Sequence, residues 1–100
     1  MPQLDEKSIK YRELFAVVRH LAPTTEPEIS VGITDNGELI RIYEFFFCVS
    51  AAWGSERKIY SLSKQEYREL LKSAMDEGYL QKAIDRGDTT LEEAERLGRE

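Results

Sequence analysis

The stretch Tyr43–Trp53, "YEFFFCVSAAW", decides how this chain is read, because it is apolar at consecutive positions where a strand of a small domain ordinarily alternates. A sheet strand points successive side chains to opposite faces, so Phe45, Phe46 and Phe47 cannot all face one core. Something must cover the second face, or it must lie open.

Working toward the N-terminus, Ile29, Val31 and Ile33 alternate with Ser30, Gly32 and Thr34, the pattern of a strand with one buried face. "TDNGEL" follows. Asn36-Gly37 is the favoured pair for a two-residue type I′ turn, which predicts an antiparallel return from Leu39. That register places Ile33 opposite Ile40, Val31 opposite Ile42 and Ile29 opposite Glu44. Beyond Glu44 the bulky positions change parity, to Phe45, Phe47, Val49, Ala51 and Trp53. A bulge near Glu44 would turn that set inward and leave Glu44, Phe46, Cys48 and Ser50 outside. "WGSERK" reads as a second turn and Arg57–Leu62 as a third strand.

Before this sheet, Leu4–Leu21 reads as a helix, with Tyr11, Leu14, Phe15, Val18 and Leu21 at helical spacing and Pro23 ending it; "PTTEP" makes Pro23–Glu28 a linker. After it, Ser63 and Glu66 form a capping box for a helix with the apolar stripe Tyr67, Leu70, Leu71, Ala74 and Met75, which Gly78 stops. Tyr79–Arg86 is a short helix ending at Gly87. Thr90 and Glu93 open a last, mostly polar helix that is expected to be loosely held or to need a partner.

The expected fold is therefore α+β. Its order is α-β-β-β-α with a three-stranded antiparallel meander, helices on one face and two short C-terminal helices. The chain forms a single domain of residues 1–100, with a core about 4–78 and an acidic helical segment 79–100. The α-β-β-β-α order over Leu4–Gly78 is similar to that of double-stranded-RNA-binding domains. That resemblance implies a phosphate-gripping lysine cluster at the start of the second helix, where this chain reads "SKQEYREL", with Lys64 and Arg68 offset by Glu66 and Glu69.

Charge and composition restrict function. The chain has 100 residues, 41% hydrophobic and 33% charged, with net charge −5. That balance is globular, and its sign opposes direct binding to a phosphate backbone. No apolar run is long enough to span a bilayer, and Met1–Lys10 lacks the apolar run of a signal peptide, so no membrane partner and a cytoplasmic location are expected. The single cysteine fits a reducing compartment.

Catalysis finds little footing. One histidine, His20, and one cysteine, Cys48, cannot assemble a zinc site of the usual kind, and "TDNGE" lacks calcium-loop spacing, so no metal and no cofactor are expected. His20 reads as a histidine near a helix C-terminus and Cys48 as a small strand residue. Glu44 is the one candidate acid: without a bulge it shares a face with Ile40 and Ile42, where desolvation would favour a general acid/base, with Arg41, Tyr43 and Tyr60 nearby. A small enzyme using Glu44 and an RNA-binding-like domain are the alternatives to the principal reading, which is non-enzymatic.

The principal reading is a protein-interaction module. Helices on one side of the sheet leave Arg41, Tyr43 and Phe46 on its outer face, flanked by Trp53 and Tyr60, and aromatics with arginine are enriched at interface centres. Asp76, Glu77, Asp85, Asp88, Glu92, Glu93 and Glu95 form an acidic set that imitates nucleic-acid phosphates, suited to a partner with a basic surface. In size, acidity and lack of catalytic signature the chain resembles phage-encoded inhibitors of host defence complexes such as anti-CRISPR proteins. That resemblance implies a protein partner whose lysines and arginines otherwise hold nucleic acid. The aromatic face equally suits a homodimer.

Overall fold

A computed structural model describes residues 3–22 and 24–99. The chain runs β1 (Gln3–Leu4), a 3-10 turn (Glu6–Ser8), β2 (Tyr11–Val18), β3 (Glu28–Thr34), β4 (Leu39–Val49), β5 (Ala52–Ser61), then α1 (Lys64–Asp76), α2 (Tyr79–Arg86) and α3 (Leu91–Leu97). The strands form one antiparallel sheet in the order β1-β5-β4-β3-β2. The class is α+β, with five strands where the sequence suggests three. The role expected of Pro23 as a helix stop lies outside the described residues, as does Glu100.

The expected first helix is instead the edge strand β2, and its pairing explains the misreading. Two irregularities in register, between Glu13 and Phe15 and between Ala16 and Val18, break the strict alternation of the strand. Each puts two neighbouring residues on one side, so Leu14, Phe15, Val17 and Val18 all pack into the main core. That spacing imitates a helical stripe. The aromatic and β-branched content of "LFAVV" suits a strand. With a strand in this place, the order shared with double-stranded-RNA-binding domains is absent.

The β3–β4 hairpin differs too. Ile33 pairs with Leu39 and Gly32 with Ile40, one residue away from the expected register. Gly37 has φ 83° while Asn36 is not among the residues of positive φ, so a type I′ turn is ruled out. The Gly37 amide donates to the Thr34 carbonyl at 2.9 Å and the Thr34 amide to the Glu38 carbonyl at 2.9 Å. This is a three-residue loop, Asp35-Asn36-Gly37, with glycine in the left-handed position of a G1 bulge. The slip reverses the face assignments from Leu39 to Tyr43, so that Leu39, Arg41 and Tyr43 turn toward the helices and Ile40 and Ile42 toward the other side, whereas from Glu44 onward the slip and the missing bulge cancel and Phe45 and Phe47 stay on the helix side with Phe46 opposite.

No bulge occurs at Glu44. The β4–β5 ladder is unbroken from Ile40 opposite Ser61 to Val49 opposite Ala52, and the turn is Ser50-Ala51 rather than "WGSERK". Both turn residues have positive φ, 51° and 63°, as a type I′ turn requires.

Each sheet face has its own cover. The helices lie over β2, β3 and the start of β4, joining Leu14, Phe15, Val31 and Leu39 to Tyr67, Leu71 and Ala74 of α1. On the opposite face Ile40, Ile42 and Ile59 are buried against Leu4 and Tyr11. Because β1 sits beside β5 and β2 at the far edge, the Asp5–Lys10 connection is a strap from one edge of the sheet to the other, and Leu4 and Tyr11 at its two ends cover those isoleucines.

The C-terminal helices belong to the core and are not a loosely held tail. Leu80, Ala83 and Ala94 are buried. The Tyr67 hydroxyl donates to the Ala94 carbonyl at 2.6 Å, Arg68 donates to the Gly98 carbonyl at 2.9 Å, and Lys64 donates to the Arg99 carbonyl. Burial raises the Tyr67 phenol far above its ordinary range, so the hydroxyl stays a donor. Ser63 and Glu66 form the reciprocal capping box at the start of α1, and Gly87, φ 83°, closes α2.

Candidate functional site: a protruding aromatic hairpin

Strand β3 ends at Glu28, opposite Glu44, and β1 reaches only Ile59 and Tyr60 of β5. Past those points β4 and β5 continue alone, from Phe45 opposite Glu56 to Val49 opposite Ala52. The molecule measures 47 Å along its longest axis against 29 and 22 Å in the other directions. Its two faces are both apolar because nothing in the segment alternates. Phe45, Phe47 and Val49 lie on the helix side, and Phe46 and Cys48, with Trp53 opposite Cys48, lie on the strap side. Neither cover extends this far: Phe47 is 46% exposed, Val49 61% and Trp53 61%.

At the root of the arm the helix-side face carries a run of ring and cation contacts. The Arg41 guanidinium lies 5.3 Å from the Tyr43 ring centre and its Nη1 3.5 Å from Glu66 of α1. Tyr43 meets Tyr60 edge-on at 5.6 Å and stacks beside Phe45 at 6.3 Å, and Lys58 Nζ is 5.4 Å from the Phe45 ring. A groove of about 290 Å³ runs over Arg41, Tyr43, Phe45 and Tyr60 to Pro27. Farther out, the Phe47 ring lies on Gly54, so closely that an added Cβ there would come within 2.8 Å of it. The strap-side face has a groove of about 320 Å³ between Phe46 and Trp53 and the β2–β3 loop at His20, Leu21 and Thr24, with Glu28 of β3.

The residues expected to form one outer face are therefore divided. Arg41, Tyr43 and Tyr60 stand on the helix side, Phe46 and Trp53 on the other, because the one-residue slip turns Arg41 and Tyr43 over while the unbroken ladder past Glu44 leaves Phe46 where it was expected. Glu44 does lie on the Ile40–Ile42 face, yet it is not an isolated carboxylate. Its Oε2 is 3.6 Å from Arg57 Nε, and Arg57 also donates to the Tyr11 hydroxyl at 3.0 Å. That hydroxyl, with Glu44, raises the Arg57 pKa. His20 sits in the loop after β2, its amide donating to Glu28 and its Nε2 3.3 Å from the Pro27 carbonyl oxygen. Cys48 is an exposed free thiol.

The acidic set is partly consumed within the fold. Glu93 accepts from Arg12 at 2.5 Å and from Thr89 at 2.9 Å, and the Arg12 hydrogen bond, opposed by desolvation, lowers its pKa. Asp88 pairs with Arg86 at 3.0 Å, and its carbonyl accepts from Arg12. Asp85 accepts from Gln81 at 2.8 Å. Asp76, Glu77, Glu92 and Glu95 are exposed. No helix among the described residues is long and apolar enough to cross a membrane.

Sequence reasoning missed Phe47 and Val49 as contact residues, having assigned them to the core side of a bulge. The chain matches no family model, and no curated protein and no solved structure is significantly similar to it.

Proposed function

We propose that this chain is a non-enzymatic protein-interaction module whose contact element is the Phe45–Glu56 arm. One observation carries the reading: large apolar side chains stand exposed on both faces of an element that its own body leaves uncovered. An isolated two-stranded ribbon is marginal in water, so an arm of this kind gains stability from whatever it contacts. Arg41 and Tyr43 at its root supply the residue types that anchor interfaces.

The acidic route to a basic partner, as in an anti-CRISPR-like inhibitor, fits less well, because Glu93 and Asp88 are already engaged by Arg12 and Arg86. Exposed Asp76, Glu77 and Glu92 would remain for it, and such binding would weaken with added salt. Acid/base chemistry at Glu44 has its pairing with Arg57 against it.

Photocrosslinking tests the reading. A benzophenone side chain replacing Phe47 or Trp53 should give protein adducts in the cells that make this chain, and one replacing Lys82 on α2 should not. Adducts from Lys82 alone, or from no position, would refute the arm as the contact element.

A further inference from the structure

The arm's main chain narrows the choice of partner. In an antiparallel ladder, alternate residues exchange both hydrogen bonds with one neighbouring strand, and those between exchange with the other. Across β3 and β4 the bonded pairs continue from Thr34–Glu38, so Ile40, Ile42 and Glu44 bond to β3. The intervening residues, Arg41 to Val49, bond to β5, ending at Val49–Ala52 beside the two-residue turn. Where β3 stops, the next members of the outward set are Phe46 and Cys48. Their amides and carbonyls point to an open edge, and among the described residues no backbone bond outside the ladder reaches them.

We propose that this edge pairs antiparallel with the same edge of a second copy of the chain, on a two-fold axis at Cys48. The inference rests on the arm being a contact element and identifies what it contacts. The main chain sets the register: outward residues must face one another, and Glu28 and Pro27 already flank Glu44 and Phe45, so Cys48 of each copy lies opposite Cys48 of the other, and Phe47 opposite Val49. Side chains agree with it. A strand added here must be apolar on both faces, which ordinary alternating strands are not and Phe45–Val49 is. Charge agrees as well, since despite a net charge of −5 no charged residue occurs from Phe45 to Ser55. The arm's other edge, on β5, is flanked by Glu56, Arg57 and Lys58, the kind of charge that guards a strand edge against pairing.

Sedimentation equilibrium of the full chain tests this with three proteins. The unchanged chain should show a monomer–dimer equilibrium. Cys48→Pro removes an amide that points away from β5, sparing the β4–β5 ladder, but by symmetry takes two hydrogen bonds from the dimer. At about 1 kcal/mol each, dimerisation should weaken about tenfold or more. Cys48→Ser keeps the amide and should dimerise like the parent. A parent that stays monomeric to millimolar concentration, or a Cys48→Pro dimer as tight as the parent's, overturns the proposal. Should the proline variant not fold, amide exchange in the parent decides. The Cys48 amide should slow with rising concentration, and exchange independent of concentration overturns pairing. A monomeric parent whose Phe47 crosslinks to a different protein would reject the second copy yet keep the arm as contact element, whereas absence of any arm adduct rejects both.

Discussion

The body of the sheet and its arm share the strands β4 and β5 and differ in what lies above and below them. In the body, Ile40, Ile42 and Ile59 lie under Leu4 and Tyr11 at the ends of the strap, and Val31 and Leu39 lie under the helices. In the arm, Phe47, Val49 and Trp53 meet neither. A strand can thus be equally apolar along its length while only part of it has a core. Hydrophobicity marks what needs covering, and topology decides whether the chain itself supplies the cover.

The sharpest way to break this contrast is to remove one ring from each region. Phe15→Ala takes a fully buried side chain from the main core and should cost about 3–5 kcal/mol in urea unfolding of the monomer. Phe47→Ala should stay within about 1 kcal/mol. Comparable losses would mean that the arm is as well packed as the body.

Glycines give a second, smaller contrast. A Cβ on Gly32 would meet the Arg12 backbone carbonyl oxygen at 2.7 Å, where β2 crosses close to β3 and nothing can yield. Gly32→Ala should therefore lose about 2 kcal/mol. At Gly54 the obstacle is the exposed Phe47 ring, which can swing aside, so Gly54→Ala should change stability by less than about 1 kcal/mol. Denaturant midpoints for the two variants check the difference.

Smaller still is the effect of the arm's turn. Ser50 and Ala51 hold left-handed backbone conformations that side chains disfavour. Ser50→Asn with Ala51→Gly should stabilise the hairpin by about 0.5–1 kcal/mol, read as slower amide exchange in the arm with little change in global unfolding. A matching rise in global stability would show that the arm unfolds together with the body.

The body has one pH-sensitive tie that the arm lacks. Glu93 titrates below its unfolded value because Arg12 donates to its carboxylate, so this tie between α3 and β2 contributes fully above the unfolded carboxyl value of about 4.3. It is lost as pH falls through the lower folded value. Amide shifts of Ala94 followed from pH 6 downward should move in that acid range, and Glu93→Gln should abolish the movement.

The sequence made parts of this fold legible where the signal is local. Ser63 and Glu66 announce α1, Gly87 ends α2, and the alternation from Ile29 to Ile33 marks a strand. It misled where pairing between strands intervenes. Irregular register in β2 gave Leu14, Phe15, Val17 and Val18 a helical rhythm, and Asn36-Gly37 serves a three-residue loop whose slip turns Arg41 and Tyr43 to the helix side. Ser50-Ala51 carries no turn signature at all. Nor could the commitment of Glu93 be foreseen, since its partner Arg12 lies 81 residues away. The aromatic segment was visible from the start, but which rings remain open depended on where β3 ends.

Trp53, the single tryptophan, reports on the central claim that the molecule does not cover its own arm. Acrylamide quenching of its fluorescence, on protein diluted until sedimentation shows only monomer, should approach that of free indole, with emission at long wavelength. Blue-shifted emission shielded from acrylamide in that monomer would mean that the arm is sheltered by its own chain, contradicting the account.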